Sequence, residues 1–460
     1  MTTLAVATKD AYRLIHDGAL ALSQVEANGM LIDVTYLDRM IAKTRRRIEQ
    51  LSKELQQDEI AGEWRKVYGL STNYGSRQQL GDVLFDRLGY ESVAQTESGR
   101  QSTDASALES LDVPFVQSFL EIEKLKKLHT TYLKGIRREA VNGILRPSFN
   151  LHTTKTYRSS SQDPNFQNQP VRDPFAAKLI RRAFIPREGR LFLEIDYSAI
   201  EVRIAACYHK DPTMLDYITS GHDMHKDMAM EVFKLKASQV SKPIRHTAKN
   251  GFVFPEFYGD YHVSIAKGIW DTINRHKMET TEGVLLTEHL KSKGITCRGN
   301  CEHNEPPLPN SLEAHLRRVE KNFWDKRFPK YKAWRQHIWD RYQKQGHIRT
   351  KTGFVVQGVM LRNEVINFPV QGSAFHCLLW SLIHVQKWLT ANKMQTLIVG
   401  QIHDSLILDV VPSELPEVLA MARQIMTVDL RKHWDWIITP LDIEAEGSYE
   451  NWYAKEHIAI

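Results

Sequence analysis

Two aspartates with similar surroundings are the residues of this sequence best suited to metal-assisted chemistry. Residues 191–197 alternate aliphatic side chains with others, which predicts a strand that carries Asp196 near its end, just before a helix. Asp404 stands in a His-Asp-Ser turn between two apolar segments that also predict strands. An isolated aspartate at such a place more often caps a helix or closes a turn. Two of them could bridge a pair of Mg²⁺ ions, the arrangement that phosphoryl transfer uses.

Cations and aromatic rings follow one another in the stretch between these aspartates. Arg245 and Lys249 are four residues apart, so on a helix they share a face and could hold adjacent phosphates. Residues 250–259 add an aromatic cluster directly after them. An isolated pair of cations is more often surface charge, but positive charge beside flat rings is what a nucleotide site needs.

Two further stretches are polar or basic. Residues 152–172 are rich in hydroxyl, amide and cationic side chains, so they cannot form core and could track a nucleic-acid backbone. An ordinary surface loop has much the same composition. The predicted helix over 113–139 carries a basic run, for which a solvated face and a phosphate contact are equally good interpretations.

Composition bounds the class of protein. The 460 residues are 42% hydrophobic and 25% charged, as in soluble globular proteins of two or three domains. The net charge of +6 suits a polyanionic partner, although only weakly. Four cysteines are too few for a disulfide framework and favour a reducing compartment. Without a signal-like start or an apolar run of about 18 residues, the sequence predicts a cytosolic protein with no membrane segment.

The elements that must position these residues are mostly helical. Helices are expected over 10–62 and 312–345, the second with an aromatic stripe that is more often core than a ligand platform. A hairpin over 346–357 precedes a helix that carries polar residues and then becomes strongly apolar over 375–385.

Segment 275–315 is the least readable part of the chain. Cys297, Cys301 and His303, with His289 or His315 as a fourth ligand, permit a zinc site. Two cysteines and a nearby histidine without a matching second half are weak support for zinc, and the unliganded alternative stays open.

The pieces together resemble DNA polymerases of family A, the family of bacterial DNA polymerase I, and its bacteriophage members most of all. Residues 196–203, Asp-Tyr-Ser-Ala-Ile-Glu-Val-Arg, are similar to the family's first catalytic motif. The cations Arg245 and Lys249 with Tyr258-Gly259 resemble its nucleotide-binding finger helix, and His403-Asp404 resembles its third motif. The remaining matches are Thr154-x-Thr-x-Arg158 with 163–168, Asp223-x-His225, Asn367-x-x-x-Gln371 and Gly447-x-x-x-Asn451-Trp452, with thumb-like segments at 73–85 and 124–132.

The resemblance implies an α/β (α+β) fold with the layout of a right hand. The N-terminal segment and a helical thumb are expected over 1–145, and the first part of an antiparallel-sheet palm over 146–215. Helical fingers with an insertion at 275–315 are expected over 216–345, and the second part of the palm over 346–460.

The resemblance also implies roles for individual residues. The implied catalytic residues are Asp196, Asp404 and Lys249, and the implied metal ligands are Asp196, Asp404 and Tyr197. The implied nucleotide-binding residues are Arg245, Lys249, Phe254, Tyr258, Glu201, His225 and Arg182, with Glu201 and Phe254 forming a steric gate against ribose. The implied DNA-binding residues are Arg158, Gln167, Asn168, Arg362, Asn367, Gln371 and His403.

The implied activity is addition of deoxynucleotides to a primer 3′-hydroxyl with two Mg²⁺ ions, for which Mn²⁺ could substitute. The implied partners are primer–template DNA, dNTPs and separate replication proteins such as an exonuclease. No spaced acidic set in the first 140 or so residues indicates a nuclease, so neither 3′–5′ nor 5′-nuclease activity is expected. A role in phage DNA replication, in the cytoplasm of a bacterial host, is the expected setting.

The sequence departs from the family pattern at several places. Lys249 and Tyr258 are nine positions apart, one more than usual, and Pro255 should break a regular finger helix. Counting back from Tyr258 makes Phe254 the residue that packs on the nucleotide, whereas counting from Lys249 makes it Val253. Ser405 replaces the usual glutamate, and Arg362 lies one position too far from Asn367.

Two other functions fit the same residues. A single-subunit RNA polymerase has a related palm, but the bulky Glu201 argues against it. A catalytically inactive DNA-binding protein with a polymerase fold is disfavoured because both metal carboxylates and both cations are present.

Overall fold

The computed structural model describes residues 6–92, 95–96, 99–171, 173–302 and 305–460. Its short strands are distributed along the chain. They are β1 Met30–Ile32, β2 Ile144–Leu145, β3 Ser148–Asn150, β4 Ser160–Gln162, β5 Phe184–Ile185, β6 Leu191–Tyr197, β7 His347–Arg349, β8 Val355–Gln357, β9 Leu397–Ile402, β10 Ser405–Val410, β11 Ile443–Ser448 and β12 Glu456–Ile458.

The centre of the molecule is a five-stranded sheet in the order β12-β11-β6-β10-β9, here called the palm sheet. All its pairings are antiparallel. Leu191, Leu193 and Ile195 of β6 point into a large core, as the alternation predicts. The opposite face of the same strand carries Glu194 and Asp196. Because side chains alternate along β6, burial of the three aliphatic residues on one face puts Glu194 and Asp196 on the opposite face.

The N-terminal part is helical, and the helical stretch expected over 10–62 is broken twice, at residues 29–33 and at Asp58. Gly29, at φ +58°, ends the first helix and β1 follows. The α-helices here are Lys9–Asn28, Val34–Gln57, Glu59–Tyr68, Arg77–Gly81, Ala105–Glu109, Pro114–Lys127 and Lys134–Glu139, with π turns at Asp82–Arg87 and Leu128–Leu133. The first helix packs into the palm core, whereas residues between Leu51 and Leu125 form a cluster of their own.

The middle of the chain is a second helical body with its own core. The two helices that flank β6 are Pro174–Arg181 and Ile200–His209. The helices that follow are Pro212–Ser220, Met224–Phe233, Lys242–Ala248, Phe254–Tyr258, His262–Arg275, Leu286–Ser292, Leu312–Asn322 and Pro329–Gln345, with π turns at Lys249–Val253 and Phe323–Arg327. Phe323, Trp324, Phe328 and Tyr331 are buried in that core, so this part of the aromatic stripe is packing.

The C-terminal part returns to the palm sheet. The predicted hairpin is β7 and β8 with Gly353 at φ +90° in its turn. The predicted helix that follows runs without interruption over Arg362–Ala391 and is here called the long helix. Shorter helices are Leu415–Arg423, a π turn at Gln424–Asp429 and Leu430–His433, and single 3₁₀ turns are Gly69–Ser71, Ala237–Gln239, Pro412–Glu414 and Trp452–Ala454. Among the described residues, none of the helices is both long and apolar enough to cross a membrane.

The long helix touches the polar stretch 152–162 at one glycine. A Cβ built on Gly372 would lie 2.7 Å from the main-chain oxygen of Thr156. Gly372→Ala should therefore destabilise the protein by about 1–3 kcal/mol through overpacking. Thermal or urea unfolding of the purified variant measures this change.

Gly268, in the helix His262–Arg275, is the matched control because a Cβ there meets nothing within 4 Å. Gly268→Ala should leave stability unchanged or raise it by up to about 1 kcal/mol, since alanine is the better helix former. Equal destabilisation by both variants would contradict the close approach at Gly372.

Candidate active site

The register of β6 and β10 brings the two predicted aspartates together. Asp196 pairs with Ser405, so the turn that precedes Ser405 sets Asp404 beside the end of β6. The main-chain N–H of Tyr197 donates to the main-chain oxygen of Asp404 at 3.3 Å, and the two carboxyl groups are close enough for Asp404 to influence the pKa of Asp196. The turn is tight, with His403 at φ +49°. Two acidic groups far apart in sequence thus share one site.

Burial, together with neighbouring carboxylates, raises the pKa of both carboxyl groups. Asp196 lies at the floor of an open cleft, where surrounding protein displaces much of its water and where it faces Asp404, Glu194 and Glu444. These causes raise the pKa of Asp196 to about 8. Burial, with Glu201 nearby, also raises the pKa of Asp404. A divalent cation between them would favour the ionised forms.

A third carboxylate on the same face is already neutralised. Glu194 accepts from the indole N–H of Trp452 at 2.8 Å, from the hydroxyl of Ser405 at 3.2 Å and from the ammonium of Lys455. Burial alone would raise the pKa of Glu194, but Lys455 and Trp452 outweigh burial and lower it. Ser405, which stands where the family usually has a glutamate, is therefore hydrogen-bonded to a glutamate from the neighbouring strand.

The donor set at this place fits Mg²⁺. Among the described residues, no group of three or more His, Cys, Asp or Glu side chains has metal-binding geometry, so the carboxylate pair is not a closed protein cage. Mg²⁺ is commonly held by one or two carboxylates while its other positions take water or phosphate oxygens. The Tyr197 hydroxyl is buried against Ser381 and the main-chain oxygen of Met426, both at 2.8 Å, which leaves only the main chain of Tyr197 as a ligand.

A cavity of about 320 Å³ opens beside the pair and collects most of the predicted nucleotide-binding residues. Its lining includes Asp404, Glu201, His225, Lys249, Phe254, Tyr258, Asn367 and Gln371. Lys249 lies 5.2 Å above the ring centre of Phe254, and the His225 and Phe254 rings meet edge to face at 5.8 Å. The cavity thus combines a cation, an imidazole and aromatic faces with the carboxyl group of Asp404.

The helical segment 242–258 absorbs the extra residue that the sequence shows. Lys249–Val253 forms a π turn, which accommodates one residue more than an α-helical turn. Val253 is fully buried in the helical core, whereas Phe254 lines the cavity. Contrary to expectation, Pro255 does not break the helix, because it lies at the start of the α-helical segment Phe254–Tyr258 where its missing N–H is tolerated.

Glu201 is held between two partners at the mouth of the cavity. Its carboxylate accepts from Tyr258 at 2.8 Å and pairs with Arg158 at 3.3 Å. Burial, with Glu201 nearby, raises the pKa of the Tyr258 hydroxyl, so this group stays a hydrogen-bond donor. Arg245, one turn before Lys249, pairs instead with Asp223 at 2.6 Å.

Some of the predicted DNA-binding residues line one of the two cavities, and others lie further out. Gln167, His403 and Asp404 line a second cavity with Asp196, and Gln167 donates to Ser159 at 2.7 Å and to Gln401 at 2.8 Å. On the first cavity's rim, Asn367 donates to the main-chain oxygen of Tyr258 at 3.2 Å. The exposed Asn168 and Arg362 lie further out, and Arg362 donates to Gln336 at 2.7 Å.

Arg182 does not line either cavity, and its phosphate contact stays a prediction. It lies just after the helix Pro174–Arg181, close enough to Tyr36 to interact electrostatically, and it is absent from the described lining of both cavities. The preceding residue, Arg181, lines the second cavity and stacks 4.0 Å above the ring of Trp452. Neighbouring helical residues point about 100° apart, so an offset of one position changes the direction completely.

The zinc alternative receives no support from the described residues. His289 and His315 each lie 3.0 Å from a main-chain oxygen, that of Lys234 and that of Glu231. The amide of Cys301 donates to Glu313 at 2.9 Å. His303 lies outside the described residues.

Sequence reasoning missed Glu194, Lys455 and Arg181. Glu194 had a usable signal, because it stands two positions before Asp196 and so on the same face of the strand. Lys455 had none, since its approach to Glu194 depends on how the last residues fold back along the sheet.

Comparison with known proteins identifies the family. The profile of DNA polymerase family A matches residues 35–282 and 317–454, so the chain belongs to this family. The unmatched residues between these segments overlap the expected insertion. The chain is 29% identical to the DNA polymerase of Bacillus phage SP01 over 383 residues, covering 78% of this chain and 37% of the phage protein. It is 29% identical over 451 residues to DNA polymerase I of Lactococcus lactis subsp. lactis strain IL1403, covering 95% of this chain and 45% of that protein.

A solved structure shares the fold. The polymerase domain of Pol1 from M. smegmatis, in complex with DNA primer-template and dNTP, matches with a TM-score of 0.75 and 23% identity over 96% of this chain and 70% of that one. The predicted α+β fold of a family A polymerase is thereby confirmed. The chain spans less than half the length of the two relatives named above.

The raised pKa of Asp196 predicts a pH-dependent stability. Between its ordinary pKa of 3.8 and about 8 the folded protein keeps a proton that the unfolded chain has lost. The contribution of Asp196 to stability is therefore present below pH 3.8 and is lost as the pH rises towards 8. Asp196→Asn should become progressively more stable than the wild type over this range, as measured by melting temperature in EDTA.

The control is Asp435→Asn, which changes an exposed aspartate away from the site. Its stability difference from the wild type should not vary with pH in this way. Mg²⁺ should narrow the gap between Asp196→Asn and the wild type because it stabilises the ionised pair. Parallel curves for Asp196→Asn and the wild type would contradict the raised pKa.

Proposed function

We propose that this chain is a template-directed DNA polymerase that adds deoxynucleotides to the 3′-hydroxyl of a primer. The observation that carries the proposal is that Asp196 and Asp404 meet beside a cavity that also holds Lys249, Phe254 and Tyr258. Membership of DNA polymerase family A supports it. Primer–template DNA and dNTPs, with which the M. smegmatis polymerase domain was solved, are the proposed partners here.

Asp196, Asp404 and the main-chain carbonyl of Tyr197 would hold two Mg²⁺ ions, with Mn²⁺ as a substitute. When bound, Mg²⁺ supplies charge neutralisation and a lowered pKa of a coordinated hydroxyl. The chain's carboxylates bring the primer end and the nucleotide to one place, where the hydroxyl attacks the α-phosphate and pyrophosphate leaves. Glu194 is bound by Lys455 and Trp452, so it adds little net charge to this place.

The fingers supply positive charge to the triphosphate. Lys249, on the cavity wall, would stabilise the leaving pyrophosphate and could protonate it. His225 has a buried Nδ1 without a partner among the described residues. Burial and the neighbouring Lys249 lower the pKa of His225 to about 4, so it would meet a phosphate as a neutral donor. Arg245 would reach the phosphates by exchanging its pairing with Asp223.

Selection of sugar and base pair is assigned to the rest of the site. Phe254 would pack on the nucleotide, and Glu201, fixed by Tyr258 and Arg158, would block a ribose 2′-hydroxyl. Gln167, Asn168, Gln371, Asn367, Arg362 and His403 would contact the duplex, where minor-groove acceptors allow the shape of a pair to be checked. The expected thumb, palm and finger boundaries, given above, belong to the same proposal.

The biological setting is a further part of the proposal. The phage SP01 relative supports a role in phage DNA replication, inside a bacterial host and beside separate replication proteins such as an exonuclease. Absence of nuclease activity in this chain stays a prediction.

Primer extension tests the function directly. A 5′-labelled primer on a DNA template with Mg²⁺ should give full-length product with dNTPs, none with NTPs, and no shortening without nucleotide. Asp404→Asn should slow extension by at least about 1,000-fold, since metal binding contributes several kcal/mol to such reactions. The matched control is Asp112→Asn, which changes an exposed aspartate that is far from Asp404 in the sequence.

Each alternative has its own signature in this assay. Product with NTPs would favour an RNA polymerase and contradict the role of Glu201. Tight binding of primer–template by the wild type without any extension would favour the inactive DNA-binding protein. Retained extension by Asp404→Asn would overturn the assignment of the carboxylate pair.

A further inference from the structure

A glutamate is fully buried in the helical segment Phe254–Tyr258, here called the finger segment. Phe254 and Tyr258 line the first cavity, whereas Glu256 between them is 0% exposed. Glutamate is rarely buried to this extent, because the loss of water around the carboxyl group disfavours its charged form. The position of Glu256 between two cavity residues connects the interior of the helical body with the wall of the cavity.

The carboxyl group of Glu256 is anchored at one oxygen. Its Oε2 accepts from the indole N–H of Trp324 at 2.8 Å, while Oε1 has no hydrogen-bond partner among the described residues. Trp324 is itself fixed by its neighbours. The guanidinium carbon of Arg335 lies 4.3 Å from the centre of its ring, and the ring of Tyr331 meets it edge to face at 5.5 Å. The hydrogen bond thus ties the finger segment to a well-packed part of the helical body.

The regular α-helix is interrupted at both ends of the finger segment. The π turn Lys249–Val253 precedes it, and Gly259, at φ +96°, follows it. On the side of the long helix, Asn363 donates to the main-chain oxygen of Gly259 at 3.2 Å. Asn367 donates to that of Tyr258 at the same distance. Side-chain contacts on two sides, these amides and the buried carboxyl group, therefore set the direction of the segment.

We propose that Glu256 is a positioning residue whose carboxyl group, anchored on Trp324, holds the finger segment with its aromatic side chains towards an incoming nucleotide. This inference rests on the proposed polymerase function and adds to it a residue that does not touch the nucleotide. Glu256 acts in this way only while it is neutral. An ionised carboxylate favours arrangements in which the segment turns and the group reaches water.

The surroundings of Glu256 favour its neutral form. The titratable groups around it lie just after the finger segment and on three packed helices, and they are Asp260, His262, Glu320, Tyr331 and Arg335. Burial and then Glu320 raise the pKa of Glu256 to about 8, with Asp260 adding to this and Trp324 and Arg335 opposing it. The neutral form is therefore present at lower pH and is lost as the pH rises through about 8.

The KM for a dNTP measures this positioning separately from the chemical step. Glu256→Gln keeps an oxygen that accepts from Trp324 and cannot ionise. Between about pH 7 and about pH 9 the wild-type KM should rise by up to about tenfold, because the neutral fraction falls from about nine-tenths to about one-tenth. The KM of Glu256→Gln should change by less than about twofold. Asp196 titrates in both proteins, so the ratio of their KM values isolates Glu256.

A second variant removes the anchor at every pH. Glu256→Leu keeps a side chain of similar size without an acceptor for Trp324. Its KM should be about tenfold above that of Glu256→Gln at about pH 7, while kcat at saturating dNTP stays within about twofold. Glu288→Gln, which changes an exposed glutamate of the same helical body, is the matched control and should follow the wild type at each pH.

The results that would overturn this role are distinct. An equal rise of KM with pH in the wild type and Glu256→Gln would overturn it, and so would an unchanged KM in Glu256→Leu. A lower kcat of Glu256→Leu with unchanged KM would mean a merely structural role, because less active protein does not alter the affinity for dNTP. In each of these cases the wild type extends the primer, so the polymerase proposal stands. A wild type that extends no primer would refute the two proposals together.

Discussion

The strand pairing that holds two carboxyl groups together, partly withdrawn from water, is the constraint on which the rest of this structure depends. The register of β6 with β10 places Asp404 against Asp196, and the tight turn at His403 keeps it there. Burial and the neighbouring carboxylates of Asp404, Glu194 and Glu444 disfavour the ionised form of Asp196, and together they raise its pKa to about 8. The core below β6 provides the stability that holds this unfavourable arrangement, and a bound cation would relieve it.

The polar side chains around the pair fall into two sets. Some have hydrogen-bond or ion-pair partners within the protein, and others have none among the described residues. Glu194 is bound by Lys455, Trp452 and Ser405, and Glu201 by Tyr258 and Arg158, so neither needs a further partner. In contrast, the pKa values of Asp196 and Asp404 are raised, and the buried Nδ1 of His225 has no partner among the described residues. His225 and Asp404 line the first cavity, whereas Asp196 and Asp404 line the second, so Asp404 is common to both. This division suits a metal and an anionic substrate that bind together.

The sequence allowed the fold class and the importance of Asp196 and Asp404 to be predicted. It did not allow prediction of the side-chain directions that depend on packing. Strand alternation placed Asp196, whereas the motif spacing left both Phe254 and Val253 as candidates. The π turn at Lys249–Val253 could not be foreseen, because an inserted residue can be absorbed in several ways that look alike in sequence. Arg181, next to the predicted Arg182, lines the second cavity, and charge alone does not tell which of two neighbouring arginines faces a cleft. Lys455 came to the site only through the pairing of β12 with β11.

The most direct test of the central claim counts the protons released when Mg²⁺ binds. Near neutral pH, a pair in which the pKa of Asp196 is about 8 is largely protonated, and a divalent cation must displace that proton. Addition of Mg²⁺ to weakly buffered protein with a pH indicator should therefore release about one proton per wild-type molecule. Asp196→Asn should release almost none. Release of no proton by the wild type, or equal release by both proteins, would contradict the account.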